Sequence, residues 1–291
     1  MADAKVASLP TVAVIAPGAM GSGVATRLTA NGVRVLTSLD GRSAASKQRA
    51  AEAGMIAASD TEIAGADFLL SILPPGQALG LAEKLKPALR ASNHKPLFVE
   101  CNAVNPQTVG TIAAVIAEAG CPFADGAIMG PPPRVDSSRT KMYVSGPHAA
   151  RAGELNKYGL DVRVMGGKLG GKIGDASALK MSYAAFNKGI VALGAIAALA
   201  ADRAGVGDAL RAELAESQPA RLSELTRTIP DMLPKAYRWV AEFEEIAQFA
   251  GGSEAEIFKG IARLYDRIAT GRETDGAALA AFYKKAADRA K

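Results

Sequence analysis

Thr11–Ala16 (TVAVIA) is an unbroken apolar run rich in β-branched residues that closes on a Pro-Gly turn. Such a run, bounded by turn residues, predicts a buried strand. An amphipathic stretch, Gly21–Asn31, follows as a helix, and Val33–Thr37 is a second strand. Ala44–Ala53 carries Ala, Lys and Arg at helical spacing, and Phe68–Leu73 is a third strand stopped by Pro74-Pro75. Another helix precedes the strand Leu97–Glu100, and Thr108–Ala119 is helical ahead of Phe123–Met129. Tyr143–Ser145 and Val162–Met165 are expected as later strands at the sheet edge. Short strands alternating with longer helices predict βαβ units and a mostly parallel, doubly wound sheet. The pattern changes near Gly174. Asp175–Arg203 has no internal proline and is rich in good helix formers. At ~1.5 Å per residue it would run on the order of 40 Å. The rest of the chain, to Lys291, shows helical segments only. The expected fold class is α/β, with an N-terminal doubly wound domain (1–168), a long connecting helix and an all-helical C-terminal domain (169–291).

Composition narrows the chemistry. With 49% hydrophobic and 22% charged residues over 291 positions, the chain is too apolar for intrinsic disorder. The 30 glycines have no three-residue period, which excludes collagen. The net charge of +5 is spread along the chain, so it favours anionic small molecules and predicts no nucleic-acid partner. Cys101 and Cys121 lack metal-ligand spacing, and His94 and His148 stand far apart. No metal site and no Ser-His-Asp hydrolase is expected, and catalysis falls to Lys, Asp, Tyr, Asn or a bound cofactor. The start, MADAKVASLP, has no signal-peptide pattern. The apolar stretch Gly189–Ala201 is too short and alanine-rich to span a bilayer. A cytoplasmic protein without a membrane partner is expected.

Ala16-Pro17-Gly18-Ala19-Met20-Gly21 directly follows the first strand. It stands in the place of G-x-G-x-x-G, with alanine at the first glycine. Gly18 would let the backbone approach a pyrophosphate, Gly21 would let the helix pack closely on the strand, and the helix start at Ala19 and Met20 would aim its amides at the phosphates. The strand–turn–helix context points to a dinucleotide-binding Rossmann domain, the alternative being a tight turn. Asp40 lies near where an NAD enzyme places a carboxylate on the ribose, or it caps a turn. Arg42 with Ser38 and Ser43 forms a set suited to the 2′-phosphate of NADP. NADP is therefore the expected cofactor, with NAD less favoured.

Five segments in order resemble the β-hydroxyacid dehydrogenases, the family that includes 3-hydroxyisobutyrate and 6-phosphogluconate dehydrogenases. These are VAVIAPGAMGSGVATRLTANG, SILPP at 71–75, VECNAVNP at 99–106, FADGAIMGPP at 123–132 and GDASALK at 174–180. The resemblance implies that Leu73 and Pro74 run past the cofactor and that Asn102 meets the nicotinamide ribose or the substrate, or closes a turn. It implies that Met129 and Gly130 belong to the substrate loop, and that Lys180 is the catalytic lysine. It also implies a homodimer through the helical domain, with Tyr237 and Trp239 lining the partner's pocket, the alternative from the helical spacing of 233–248 being a core stripe with a charged back. The departures are specific: Ala184 stands where the family has asparagine, Met129 replaces a serine, Pro131 a glycine, and Asn102-Ala103 a Ser-Thr pair. DGAIM and the proline run are also similar to the NADPH-dependent imine reductases, a group that commonly lacks the lysine.

On a helix, Lys180 shares a face with Tyr183, Ala184 and Asn187, so Tyr183 or Asn187 is positioned to replace the missing amide. Lysine accepts or donates the hydroxyl proton once neighbours or burial bring its pKa toward the working pH, and Lys168 and Lys172 precede it closely enough to help. Asp125 reads as a strand end or turn cap rather than a base, and Arg134 and Arg139 as solvated loop charges. The expected activity is NADP-dependent hydride transfer on a small hydroxy or oxo compound. The alternatives are an imine reductase on the same fold and a non-catalytic NADP-binding protein.

Overall fold

The computed structural model describes residues 9–136, 139–166 and 171–289. The chain divides after Lys180 into two compact units.

The first unit is built on one eight-stranded sheet: β1 (Thr11–Ile15), β2 (Arg34–Thr37), β3 (Ile56–Ala57), β4 (Phe68–Ser71), β5 (Leu97–Glu100), β6 (Phe123–Met129), β7 (Lys141–Ser145) and β8 (Val162–Val164). Their spatial order is β3-β2-β1-β4-β5-β6-β7-β8, parallel throughout except for β6 against β7. The first six strands thus follow the Rossmann order, which reverses between β1 and β4. The helices are α1 (Ala19–Ala30), α2 (Ala44–Glu52), α3 (Asp60–Ala64), α4 (Ala78–Ala91), α5 (Pro106–Glu118) and α6 (Ala149–Ala152).

Strand alternation explains the two cores. Val12 and Val14 of β1 pack with Val24, Ala25 and Leu28 of α1 on one face. Ala13 and Ile15 face the other way, into a cluster with Ile63, Leu85, Leu89 and Ile112. Both faces of the sheet are covered, so its strands read as continuous apolar runs.

Boundaries differ from the sequence reading where backbone chemistry intervenes. β4 ends at Ser71, ahead of Ile72 and Leu73, because Pro74 and Pro75 bring no N–H and push the chain out of the ladder. β7 begins at Lys141, drawn out by its antiparallel pairing with β6. The two-residue β3 and five-residue α3 lack the length for periodicity to reveal them. A capping box marks α3, with Ser59 bonding the Glu62 amide and the Glu62 carboxylate bonding the Ser59 amide.

The long helix α7 (Asp175–Arg203) spans the residues expected of it. An 18-residue window has a mean hydropathy of 1.7, long and apolar enough by composition to cross a membrane, well beyond the short run Gly189–Ala201. The second unit continues through α8 (Gly207–Ser217), α9 (Pro219–Met232), α10 (Ala236–Ala250), α11 (Glu254–Thr270) and α12 (Ala277–Arg289), with no strand among the described residues. Phe243, Ile246, Tyr265, Ile268 and Tyr283 form its buried centre. The two tyrosine hydroxyls donate to the α7 backbone, Tyr265 to the Lys188 carbonyl at 3.0 Å and Tyr283 to the Gly194 carbonyl at 3.0 Å. Burial pushes both phenols up, that of Tyr283 to about 12.

Candidate functional site

The turn between β1 and α1 leaves a helix start open. Gly18 is the N-cap and offers no side chain, and the first turn of α1 holds no acidic residue. By contrast, α2 and α5 are capped by Ser43 and Asn105. A Cβ on Gly18 would meet nothing within 4 Å, whereas one on Gly21 would lie 2.0 Å from the Ala16 carbonyl oxygen. Gly21 therefore permits the helix to sit on the strand, and Gly18 keeps the space in front of the amides clear. An uncapped, acid-free helix start beneath an open glycine fits a dinucleotide pyrophosphate.

Past β2, Ser38 is buried, Arg42 half-buried and Asp40 exposed. The turn is held by the Arg42 amide donating to the Leu39 carbonyl at 3.2 Å, with Gly41 at φ +67°. The Ser43 hydroxyl accepts from the Ser46 amide at 3.3 Å as the cap of α2.

Asn102 closes the far side of the reversal point. Its Oδ1 accepts from the Leu73 amide, its Nδ2 donates to Ser71 Oγ at 2.9 Å, and its own amide donates to Glu100 Oε1 at 2.9 Å. The side chain thus ties the β4 turn, including Leu73 and Pro74, to the end of β5. Of the readings open for Asn102, the turn closure is the one these bonds describe.

Beneath that turn runs a row of polar side chains of which the sequence singled out only Asp125. Ser71, Glu100, Asp125 and Ser145 pair in register across β4, β5, β6 and β7, and all four are fully buried. Glu100 Oε2 has no hydrogen-bond partner. Burial, opposed by bonds from Asn102 and Ser71 and reinforced by the Asp125 charge, raises the Glu100 carboxyl to about 7. Burial also lifts Asp125, against hydrogen bonds from Ser177, Ser145 and Gly174. The thiol of Cys101 rises well above its ordinary range, first through burial and then through the two carboxylates. A signal existed in the sequence: each of the runs FLLS, LFVE and FAD breaks its apolar pattern at the last position.

Asp125 does not end a strand, as its sequence position suggested: it lies within β6, whose ladder runs on to Met129. It receives the Gly174 amide at 3.0 Å, the Ser177 amide at 3.0 Å and the Ser177 hydroxyl at 2.6 Å, all from the start of α7. Further along β6, the Ile128 carbonyl accepts from Lys180 Nζ at 2.7 Å. Met129 ends β6 in a buried position. Gly130 follows at φ +104°, where a Cβ would stand 2.5 Å from the Arg139 carbonyl oxygen, so a side chain there would face both strain and collision. Arg134 and Arg139 are exposed and line a surface cleft of about 910 Å³ beside Ala19, Ser22 and Thr26. Lys172 is exposed, and its amide donates to Asp175 at 2.8 Å; Lys168 lies outside the described residues.

The remaining expected residues sit in the second unit. Tyr183 and Asn187 are exposed on α7, where Asn187 Nδ2 donates to the Tyr183 carbonyl at 2.9 Å. Trp239 packs edge-on against Tyr265 at 5.1 Å, with Lys188 Nζ 4.7 Å from its ring centre. Lys188 is ion-paired to buried Glu242. Tyr237 is exposed and accepts from Arg238 Nε at 2.9 Å.

Comparison with known proteins agrees with this geometry. Residues 11–166 match the family described as the NAD binding domain of 6-phosphogluconate dehydrogenase. Residues 201–268 match a domain of unknown function. An uncharacterized 28.5 kDa protein of Methanothermus fervidus is 29% identical over 198 residues, covering 67% of this chain and 73% of that protein. A conserved protein of unknown function, described as structurally similar to 3-hydroxyacid dehydrogenases, superposes with a TM-score of 0.65 at 28% identity. That match covers 91% of this chain and 99% of the other. Two more distant structures share the fold. Mycobacterium tuberculosis 3-hydroxyisobutyrate dehydrogenase with L-serine gives a TM-score of 0.67 at 15% identity, over 94% and 98% of the two chains. An imine reductase of Myxococcus stipitatus in complex with NADP+ gives 0.56 at 21% identity, over 94% and 99%.

Proposed function

The chain belongs to the family of the NAD binding domain of 6-phosphogluconate dehydrogenase, and from that premise we propose that it is an NADP-dependent oxidoreductase acting on a small hydroxy or oxo compound, with Lys180 as general acid/base. The observation that carries the proposal is the placement of the Lys180 ammonium at the C-terminal end of β6, 2.7 Å from the Ile128 carbonyl. In open α/β sheets ligands bind at that edge.

A nicotinamide cofactor would supply hydride in reduction and take it in oxidation. Gly18 and the open start of α1 would hold the pyrophosphate, and Arg42 would meet the 2′-phosphate. Asn102 holds the Leu73 turn against the end of β5, on the edge where the cofactor would lie. Lys180 Nζ holds the proton that goes to the carbonyl oxygen in reduction and that returns from the hydroxyl in oxidation. Met129 supplies an apolar wall in place of the family's serine, so the substrate is less polar there than a typical hydroxy acid. That substitution favours, as a second reading, reduction of a C=N bond on the same fold.

NADPH and NADH titrations followed by fluorescence test the cofactor. Arg42→Ala is expected to weaken NADPH at least tenfold, ~1.4 kcal/mol, and to leave NADH unchanged. Equal losses for both nucleotides would remove the 2′-phosphate assignment, and no binding of either would make the glycine turn purely structural. Aldehydes, ketones and cyclic imines are then screened with wild type and Lys180→Ala. Loss of carbonyl reduction in the variant supports the acid/base role, and full turnover in Lys180→Ala would refute it.

A further inference from the structure

We propose that Asp125 is the positioning residue for Lys180, a buried carboxylate on β6 that clamps the first turn of α7 and so sets where the lysine ammonium stands. Relevance to catalysis rests on the acid/base reading of Lys180; the clamp itself does not.

A helix start presents backbone N–H groups with no partner inside the helix. In α7 they are met from across the sheet. Asp125 Oδ2 accepts from the amides of Gly174 and Ser177 and from the Ser145 hydroxyl at 3.1 Å, while Oδ1 accepts from the Ser177 hydroxyl. Ser145 Oγ accepts in turn from the Ala176 amide at 3.0 Å. Two side chains from adjacent strands thus take three consecutive-turn amides and a hydroxyl.

A local cap would satisfy the same donors without ordering distant chain, as Ser43 does for α2. The nearby acid, Asp175, is engaged elsewhere: its carboxylate accepts the amides of Gly171 at 2.6 Å and Lys172 at 2.8 Å, which hold it below the usual carboxylate range. The long-range clamp therefore does what a local cap does not, which is to fix the helix to β6.

The geometry has two anchor points on one strand. Lys180 lies three residues beyond Ser177, ~4.5 Å along the helix axis. Its Nζ meets Ile128, three residues beyond Asp125 and roughly 10 Å along the strand. With the helix start pinned, the rotation of α7 is set, and Lys180 meets the Ile128 carbonyl. A slip of one helical position turns it by about 100°. Asp125 is fully buried and acts through Ser177 and the helix, without touching a substrate.

Trace acetylation from pH 6 to 11, quantified by mass spectrometry at each lysine, reads the exposure and basicity of Lys180 with no substrate needed. Relative to wild type, Asp125→Ala is expected to raise the Lys180 rate at least threefold, with a smaller rise in Ser177→Ala. Lys95 serves as the control, since its ammonium bonds the carbonyls of Leu89, Arg90 and Ala119; its rate is expected to stay constant. Asp125→Asn, which presents one oxygen to the two amides and lets the hydroxyls reorient, is expected to stay within twofold of wild type. If Asp125→Ala does not fold, Ser177→Ala decides alone. An unchanged Lys180 profile in the folded variants would overturn the clamp, and so would a rise in Asp125→Asn as large as in Asp125→Ala. Turnover of Lys180→Ala tests the acid/base reading separately, so the two failures are distinguishable.

Discussion

Gly21 and Gly18 stand three residues apart and differ in what surrounds them. The missing side chain at Gly21 makes room for the Ala16 carbonyl, which would lie 2.0 Å from a Cβ, and the space at Gly18 is empty of protein. Gly21→Ala must push α1 off β1, a form of overpacking that costs roughly 1–3 kcal/mol or more. It is expected to lower both the melting temperature and NADPH affinity. Gly18→Ala, with φ at −74°, adds a methyl group that the fold tolerates, so it is expected to keep the melting temperature and lose at least tenfold in affinity. Thermal melts and nucleotide titrations on the pair separate the two effects. An unchanged affinity in Gly18→Ala would place the phosphates elsewhere. Both glycines were legible in the sequence because the turn chemistry is local. The employment of Asn102 was not, because its partners Ser71 and Leu73 come from the end of β4 and the turn that follows it.

Elements carry the buried polar row. Ser71, Glu100, Asp125 and Ser145 come together only because four strands pair in register, and two carboxyls side by side cannot both ionise cheaply. Glu100, at about 7 against 4.5 when exposed, stays protonated in the folded protein while the unfolded chain ionises. The folded state binds more protons in that window, so stability falls as pH rises from about 4.5 to about 7 and stays lowered above it. The full difference is on the order of 3 kcal/mol. Asp125, also raised by burial, acts in the same direction. Glu100→Gln is expected to be more stable than wild type at pH 8 and to lose that advantage toward pH 5, measured by urea unfolding. Parallel pH dependences for the two proteins would rule out Glu100 as the titrating group. The strands were readable from their apolar runs, and α7 from its lack of proline. The row was visible only as single polar residues closing those runs, with nothing local to say that they adjoin.

At the scale of the whole molecule, α7 carries Tyr183, Phe186, Leu193 and Ile196 on its surface, with Phe186 68% and Leu193 62% exposed. These positions recur at spacings of three and seven residues, the pattern of a helix face that packs on another helix. We propose that a second copy of the chain covers it, as the family resemblance implies. Sedimentation is expected to show a dimer in the absence of detergent, and Phe186→Asp with Leu193→Asp is expected to give a monomer. A wild-type chain that stays monomeric, or that partitions into lipid vesicles through α7, would refute the subunit face. By itself the sequence determined the α/β order, the glycine turn and the long helix, because these follow from propensities and patterns spanning a few residues; the candidate lysine came from the family resemblance. Only the tertiary structure decided that Asp125 caps α7, that Glu100 shares its burial, and that Asn102 bonds back into the chain. Those relations join residues 25 to 52 positions apart, and register and desolvation exist only once the strands have paired.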